Sequence, residues 1–160
     1  EDKVEAREVS WRQLLPWTEI FRGFGVALAL NKLLLAGAGI LAAAAETEAK
    51  RLNTTGAVAV VDDGGNLLYL LRIDNTFPAG SYVAMDKART AAPFRTPTRN
   101  LEDAVKNGGT SLVAVAEMTP LAGGVPIVID GQIVGAVGVS GAANAQQDEE
   151  LAKLAAAALR

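Results

Sequence analysis

Two residue types are missing outright from this chain of 160 residues, which has no cysteine and no histidine. Without cysteine there is no disulfide, no thiolate nucleophile and no zinc ribbon. Without histidine the Ser-His-Asp arrangement, the imidazole general base and the commonest metal ligand are all excluded. Any catalysis would fall to carboxylates, lysine, tyrosine or backbone amides. Aromatic residues are scarce at 5%, and 15 basic against 18 acidic residues leave a net charge of -3. A nucleic-acid binder presents a broad basic face interleaved with aromatics, so nucleic acid is not expected as the main partner. Apolar residues are abundant: half the chain is hydrophobic and 21% is charged. A packed core is therefore within reach, and one domain with an appendage is expected.

The appendage is N-terminal. Residues 1–23, EDKVEAREVSWRQLLPWTEIFRG, are charged and then amphipathic, and they hold both tryptophans. Residues 24–45, FGVALALNKLLLAGAGILAAAA, are almost wholly apolar, with a single charge at Lys32. That length suits a bilayer span, and Trp11, Trp17 and Arg22 sit where interfacial anchors would. The same stretch also reads as a buried helix that continues through ETEAKRL as the first helix of the domain. Lys32 and Asn31 oppose the membrane reading, and Gly37 and Gly39 oppose the soluble helix. Residues 1–41 are thus an extension that either anchors in a membrane through 24–45 or adds a helix, and residues 42–160 form the domain. The composition leaves the compartment open: cytoplasmic, secreted or periplasmic, with or without a membrane tether.

From Thr54 the texture changes. GAVAVV and NLLYLLRID are β-rich runs joined by Asp62-Asp63-Gly64-Gly65, a hairpin signal because those residues tolerate positive φ. SYVAMDKARTAA predicts a helix with Ser81 as its N-cap and Pro93 ending it. Thr98 is placed to cap a short helix, RNLEDAVKN, closed by Gly108-Gly109. SLVAVA is a third strand candidate. VPIVID and QIVGAVGVSG then form a second hairpin about Asp130-Gly131. In the C-terminal segment Asn144 and Gln147 make a capping box, and Asp148, Glu149 and Glu150 suit the positive end of the helix dipole. Leu151, Leu154, Ala155 and Ala158 recur on one face of that helix. Hairpins make the sheet antiparallel and helices cover it, so the fold class is α+β.

The segment Lys87–Arg99, KARTAAPFRTPTR, gathers four cations, three threonines and two prolines with no acidic residue. On a helix Met85 shares a face with Arg89, and Asp86 with Thr90; Asp86 can pair with Lys87 or Arg89. Arg95 and Arg99 have no acidic neighbour in sequence before Glu102. Arginine forks and threonine hydroxyls suit carboxylates or phosphates, although a solvated face is the commoner meaning of a charge run. GAVGVSGA matches neither the G-x-G-x-x-G spacing nor a nucleophile elbow. Its glycines allow close backbone approach, or Ser140 and Gly141 line a pocket. Gly123 and Gly124 before Pro126 make either a glycine-rich strand entry or a loop whose amides receive an anion.

Taken in order, KARTAAPFRTPT, LAGGVPIVIDGQIVGAVGVSGA and QQDEELAKLAAAAL, with the upstream VAVVDDGGNLLYLLRID hairpin, resemble the GlcG/HbpS-like haem-binding family over residues 42–160. The resemblance implies a profilin-like fold, a five-stranded antiparallel sheet with helices on both faces. It implies homo-oligomers, dimers or octamers, and binding of haem or a small carboxylate-bearing ligand. Carried onto this chain, Lys87, Arg89 and Thr90 occupy the helix motif. Phe94, Pro97 and Thr98 match a F-x-x-P-T turn, and Gly123, Gly124 and Pro126 a G-G-x-P loop. Ser140, Gly141 and Asp148 match the last strand and helix. Histidine ligation of haem has no counterpart here. The axial options are Met85, Met118, Tyr69, Tyr82, a lysine or a threonine oxygen, or propionates held by the cations alone.

The expected protein is a binding module for a small anionic molecule, with a ligand at residues 87–99. Arg89, Arg95 and Arg99 would meet carboxylates, Thr98 would donate a hydrogen bond, and Phe94 would offer an apolar face. Gly123–Pro126 and Ser140-Gly141 would form the opposite wall. The competing classes are an enzyme using Lys87 and Asp148, haem-degrading or hydrolytic, and a structural module whose loops only build an oligomer interface.

Overall fold

The computed structural model describes residues 37–158; the tryptophans and most of the 24–45 stretch lie outside them. Helix α1 covers residues 37–51. Ala38, Leu41, Ala42, Ala45 and Ala49 fall on one helical stripe and are fully buried, the spacing an amphipathic helix requires. Residues 37–45 are thus part of the domain's first helix, running on through ETEAKRL. Among the described residues no helix is long and apolar enough to cross a membrane.

Four strands follow: β1 (Ala57–Asp62), β2 (Leu67–Arg72), β3 (Gly124–Ile129) and β4 (Gln132–Ser140). They form one antiparallel sheet in the order β2-β1-β4-β3. Both hairpins form where the turn residues predicted them. The Asp62 carboxylate accepts from the amides of Gly64 and Asn66, while Asp130 and Gly131 adopt φ of 50° and 75°, the left-handed pair of a type I′ turn. Pro126 sits in β3, an edge strand, where its missing N–H costs no ladder bond.

The helices between the hairpins are α2 (Gly80–Ala91) and α3 (Thr98–Lys106), and α4 (Ala145–Ala157) closes the chain. The fold is α+β as expected, with four helices and four strands among the described residues rather than five strands. The missing strand is SLVAVA: Thr110–Ala114 is a single 3-10 turn, and Val113 stays 62% exposed. Short apolar alternation makes a strand only where a sheet edge can take it, and no strand pairs with this segment.

Side-chain alternation gives the sheet two unlike faces. Val58 and Val60 of β1 face the same way as Val125, Ile127, Val137 and Val139, and bury against the α1 stripe and Leu151, Ala152, Ala155 and Ala156 of α4. Ala57, Ala59, Val61 and Ala136 face the other way, onto Ala84, Ala88 and Ala91 of α2 and its C-cap Ala92. Here the helix backbone nearly touches the sheet. A Cβ on Gly138 would lie 2.6 Å from the Ala88 nitrogen and still nearer the Ala84 carbonyl.

The predicted capping residues have other partners. Ala79, not Ser81, precedes α2, and no side chain caps it. Pro97, not Thr98, is the N-cap of α3. At α4 the Asn144 side chain accepts from the Gln147 amide at 2.9 Å, while Gln147 reaches back to the Ala143 amide instead of that of Asn144. Of the expected stripe, Leu151 and Ala155 are buried, whereas Leu154 and the C-cap Ala158 face solvent; Ala152 and Ala156, not expected there, complete the core.

Candidate functional site

The positive charge of the 87–99 segment is not all unpaired. Lys87 is 3% exposed, and its ammonium donates to Asp148 Oδ2 at 2.8 Å and to the Val139 carbonyl at 2.9 Å. The other Asp148 oxygen accepts from the Ala142 amide at 2.9 Å. Lys87 therefore takes Asp148, from 61 residues away, and not its neighbour Asp86. The pair ties α2 to α4. With its hydrogen bonds made inside the protein, the amine is not presented to a ligand or a substrate.

Arg99 is likewise engaged. Its Nε donates to Glu149 at 2.8 Å, it lies 3.7 Å from Glu102, and it reaches Gln146. Lys153 also pairs with Glu149 at 2.6 Å. Lys106 and the Ala122 amide bond Glu102 at 2.6 and 2.7 Å. Burial works to raise both carboxyls, but these hydrogen bonds and charges outweigh it and hold Glu102 and Glu149 below their ordinary range. The hydrogen bond to Glu149 pushes the Arg99 guanidinium upward.

The remaining predicted residues divide between a packed junction and an open rim. At the junction the Thr98 hydroxyl accepts from the Gly124 amide at 2.8 Å. A Cβ on Gly124 would strike Thr98 and the Lys87 backbone, and one on Gly123 would lie 2.8 Å from Lys87 Nζ. Ser140 is buried opposite Ala57, and Gly141, at φ 103°, accepts from the Thr55 hydroxyl. Pro126 is half-buried in its edge strand. The glycine loop, expected as the wall opposite residues 87–99, packs directly against Lys87 of α2, Thr98 of α3 and Asp148 of α4 at Gly123 and Gly124. Every buried side-chain polar atom among the described residues has a partner.

At the rim, Arg89, Phe94 and Arg95 are exposed. Arg95 sits in the turn after α2 at φ 54°. Met85 is half-buried against the alanine face. Arg89 makes only a long 3.4 Å bond to the Gly65 carbonyl and has no carboxylate partner among the described residues.

Arg89 opens onto a cleft of about 530 Å³. Its walls are the hairpin turn Gly64–Asn66, α2 with Asp86, Arg89 and Pro93, and the strip Glu117–Thr119. Thr90 holds that strip in place: its hydroxyl donates to the Asp86 carbonyl at 2.7 Å and accepts from the Thr119 amide at 2.8 Å. The sequence named Arg89 as a ligand contact and Met118 as an axial option, but not the other walls. The DDGGN turn was legible only as a turn, and nothing local in EMT marks a surface that folds back onto α2. A second, shallower cleft of about 390 Å³ holds Lys50 and Arg72. Lys50 pairs with Glu46 and Arg72 with the Thr76 carbonyl. Among the described residues no cluster of acidic side chains could hold a metal ion.

The fold and cleft define a small α+β domain with a mixed-charge cleft between a hairpin turn and the helix on the thin face of its sheet. The family model described as "Haem degrading protein HbpS-like" matches residues 33–157, and the chain belongs to this HbpS-like family. Protein GlcG of Escherichia coli K12 is 49% identical over 103 residues, 64% of this chain and 77% of its own. A double mutant of HbpS from Streptomyces reticuli has a solved structure 35% identical, covering 79% of this chain and 86% of its own, with a TM-score of 0.74. The crystal structure of a PduOC:heme complex is 29% identical, covers 77% and 91%, and has a TM-score of 0.69.

Proposed function

We propose that this chain is a non-catalytic binding module for a small anionic ligand, and that the ligand is haem, held without histidine. The observation that carries the reading is the cleft beside α2, with Arg89 as its one basic wall residue. A guanidinium without a carboxylate partner suits a propionate. Asp86 and Glu117 also stand in the walls, so Arg89 would hold a single propionate. Phe94 and Arg95 flank the same end of α2, and Met118 and Thr119 offer sulfur and oxygen donors within the cleft. Bound haem would supply the iron and its redox chemistry. The HbpS-like family description and the heme complex of PduOC support this choice of ligand.

In this reading Lys87, Thr90, Thr98, Gly123, Gly124, Ser140, Gly141 and Asp148 set the walls without touching the ligand, and Arg99 braces α3 against α4. The binding module takes in α1 from residue 37, ahead of the boundary at residue 42 expected from sequence, and the assembly is a homo-oligomer whose size light scattering would give.

The test is a haemin titration of the full chain followed by absorbance, with an Arg89→Ala/Arg95→Ala variant that leaves Lys87 and Arg99 alone. A saturable Soret shift is expected, with affinity about tenfold weaker in the variant, the worth of one charge-assisted bond. Equal affinity in the variant would remove ligand anchoring from this cleft. No shift in the wild type would set haem aside in favour of small dicarboxylates.

A further inference from the structure

Three ionic side chains line the cleft beside α2, and none of them is spent on a partner. Asp86, Arg89 and Glu117 all stand in its walls. Among the described residues none of the three makes an ion pair, with one another or with any other side chain. The nearby cations Lys87 and Arg99, by contrast, are each matched to a carboxylate. The cleft thus sets one positive and two negative groups around a space of about 530 Å³, a volume within the range of small-molecule sites. Its larger apolar side chains are Pro93 and Met118 alone.

We propose that this cleft also binds a small basic amino acid, a molecule with one carboxylate, two cationic groups and a short methylene chain. The inference goes beyond the haem reading and stands without it. The ligand's charges are the complement of the wall: one carboxylate for Arg89, two cations for Asp86 and Glu117. Asp86 and Arg89 are three residues apart on α2, neighbouring positions on one helix face. They suit the ammonium and the carboxylate that share the ligand's α-carbon. Glu117 belongs to a separate segment and takes the distal cation, and the methylenes between lie against Pro93 and Met118. Such a ligand leaves none of the three charges unmatched.

The walls are held before a ligand arrives. The Asp62 carboxylate fixes the hairpin turn, accepting from the Asn66 amide at 2.8 Å and from its side-chain nitrogen at 3.0 Å. Arg89 Nε leans on the Gly65 carbonyl of that turn at 3.4 Å. The Thr119 amide donates to Thr90 Oγ1 at 2.8 Å, which ties the third wall to α2. Glu117 sits at φ 60°, a left-handed backbone that a residue with a side chain rarely adopts. Walls fixed in this way lower the ordering entropy that binding has to overcome.

The experiment is calorimetry of the full chain at neutral pH and low salt, without haemin, with four probes. L-Lysine carries all three groups; 6-aminohexanoate lacks the α-ammonium, cadaverine the carboxylate and hexanoate both ammoniums. Lysine should bind tightest. Cadaverine and 6-aminohexanoate should each be about tenfold weaker, the worth of one charge-assisted bond, and hexanoate weaker still. Variants assign the partners. Asp86→Asn should bring lysine down to the level of 6-aminohexanoate, and Arg89→Gln to that of cadaverine. Glu117→Gln should weaken lysine and 6-aminohexanoate alike, while Asp103→Asn, outside the cleft, should change nothing. No lysine binding, or equal affinity for lysine and hexanoate, would overturn the proposal. So would a loss in Asp103→Asn as large as that in Glu117→Gln, the mark of general attraction to an acidic protein. Because haemin takes no part, a failed lysine titration leaves the haem reading untouched, and a failed haemin titration leaves this one untouched.

Discussion

The two faces of the sheet solve the same problem in opposite ways. On one, valines and isoleucine of the strands meet leucines and alanines of α1 and α4. On the other, alanines and glycines bring the α2 backbone down onto the strands. The first face stores its stability in buried volume, so a lost methylene leaves a cavity. The second stores precision in close approach, so an added methyl has nowhere to go. The cleft lies on the second face, where α2 is least free to shift. Its wall residues inherit that rigidity.

The sharpest way to break the arrangement is to cut what joins the two faces. Lys87→Met leaves Asp148 buried with its Ala142 bond but no cation. Removing one partner of such a pair should cost about 3–5 kcal/mol, read as a lower midpoint in urea unfolding. Lys87→Met/Asp148→Leu should recover much of that loss, because the pair taken out whole leaves no orphan charge.

Next come two substitutions that should part the faces from each other. Leu41→Ala empties a fully buried position on the valine face and should cost about 2–5 kcal/mol with haemin affinity unchanged. A chain begun at residue 42 would lose Ala38 and Leu41 together and should be weakened further. Gly138→Ala forces a methyl against the Ala84 carbonyl and Ala88. Its stability cost should be smaller, about 1–3 kcal/mol, but α2 must shift, so haemin affinity should fall as well. Equal effects of both variants on the titration would mean that the cleft does not depend on the thin face.

Much of this was legible in the chain, for reasons that differ by element. Asp62–Gly65 and Asp130-Gly131 announced their hairpins because turn geometry is a property of a few adjacent residues. The C-terminal limits of α2 and α3 followed from Pro93 and Gly108 in the same way. What stayed hidden is whatever depends on a distant partner. Thr98 looks like a cap, and its hydroxyl serves Gly124 instead. Lys87 and Arg99 look unpaired because Asp148 and Glu149 lie 61 and 50 residues away. SLVAVA has a strand's composition, yet it coils into a 3-10 turn that no strand pairs with. The cleft needed three separated segments, so the sequence named Arg89 and Met118 singly and did not place them in one cleft.

The smallest expected effect concerns the acidic brace between α3 and α4, which stands apart from both faces. Glu102 and Glu149 have folded-state values below the ordinary 4.5. Between the lowered and the ordinary value the unfolded chain therefore binds more protons than the folded one. The stability these carboxylates contribute is fully present above about pH 4.5 and is lost as pH falls through the folded values. Glu149→Gln should remove part of this term, costing roughly 1 kcal/mol at neutral pH because its partners Arg99 and Lys153 stay partly open to water. It should also flatten the fall in stability between pH 5 and 3, measured by urea unfolding across that range. Haemin affinity at pH 7 should not change, since neither carboxylate lines the cleft. A variant that kept the full acid slope would show that the proton uptake belongs to other carboxylates. One that lost haemin binding would show that α3 and α4 take part in the site.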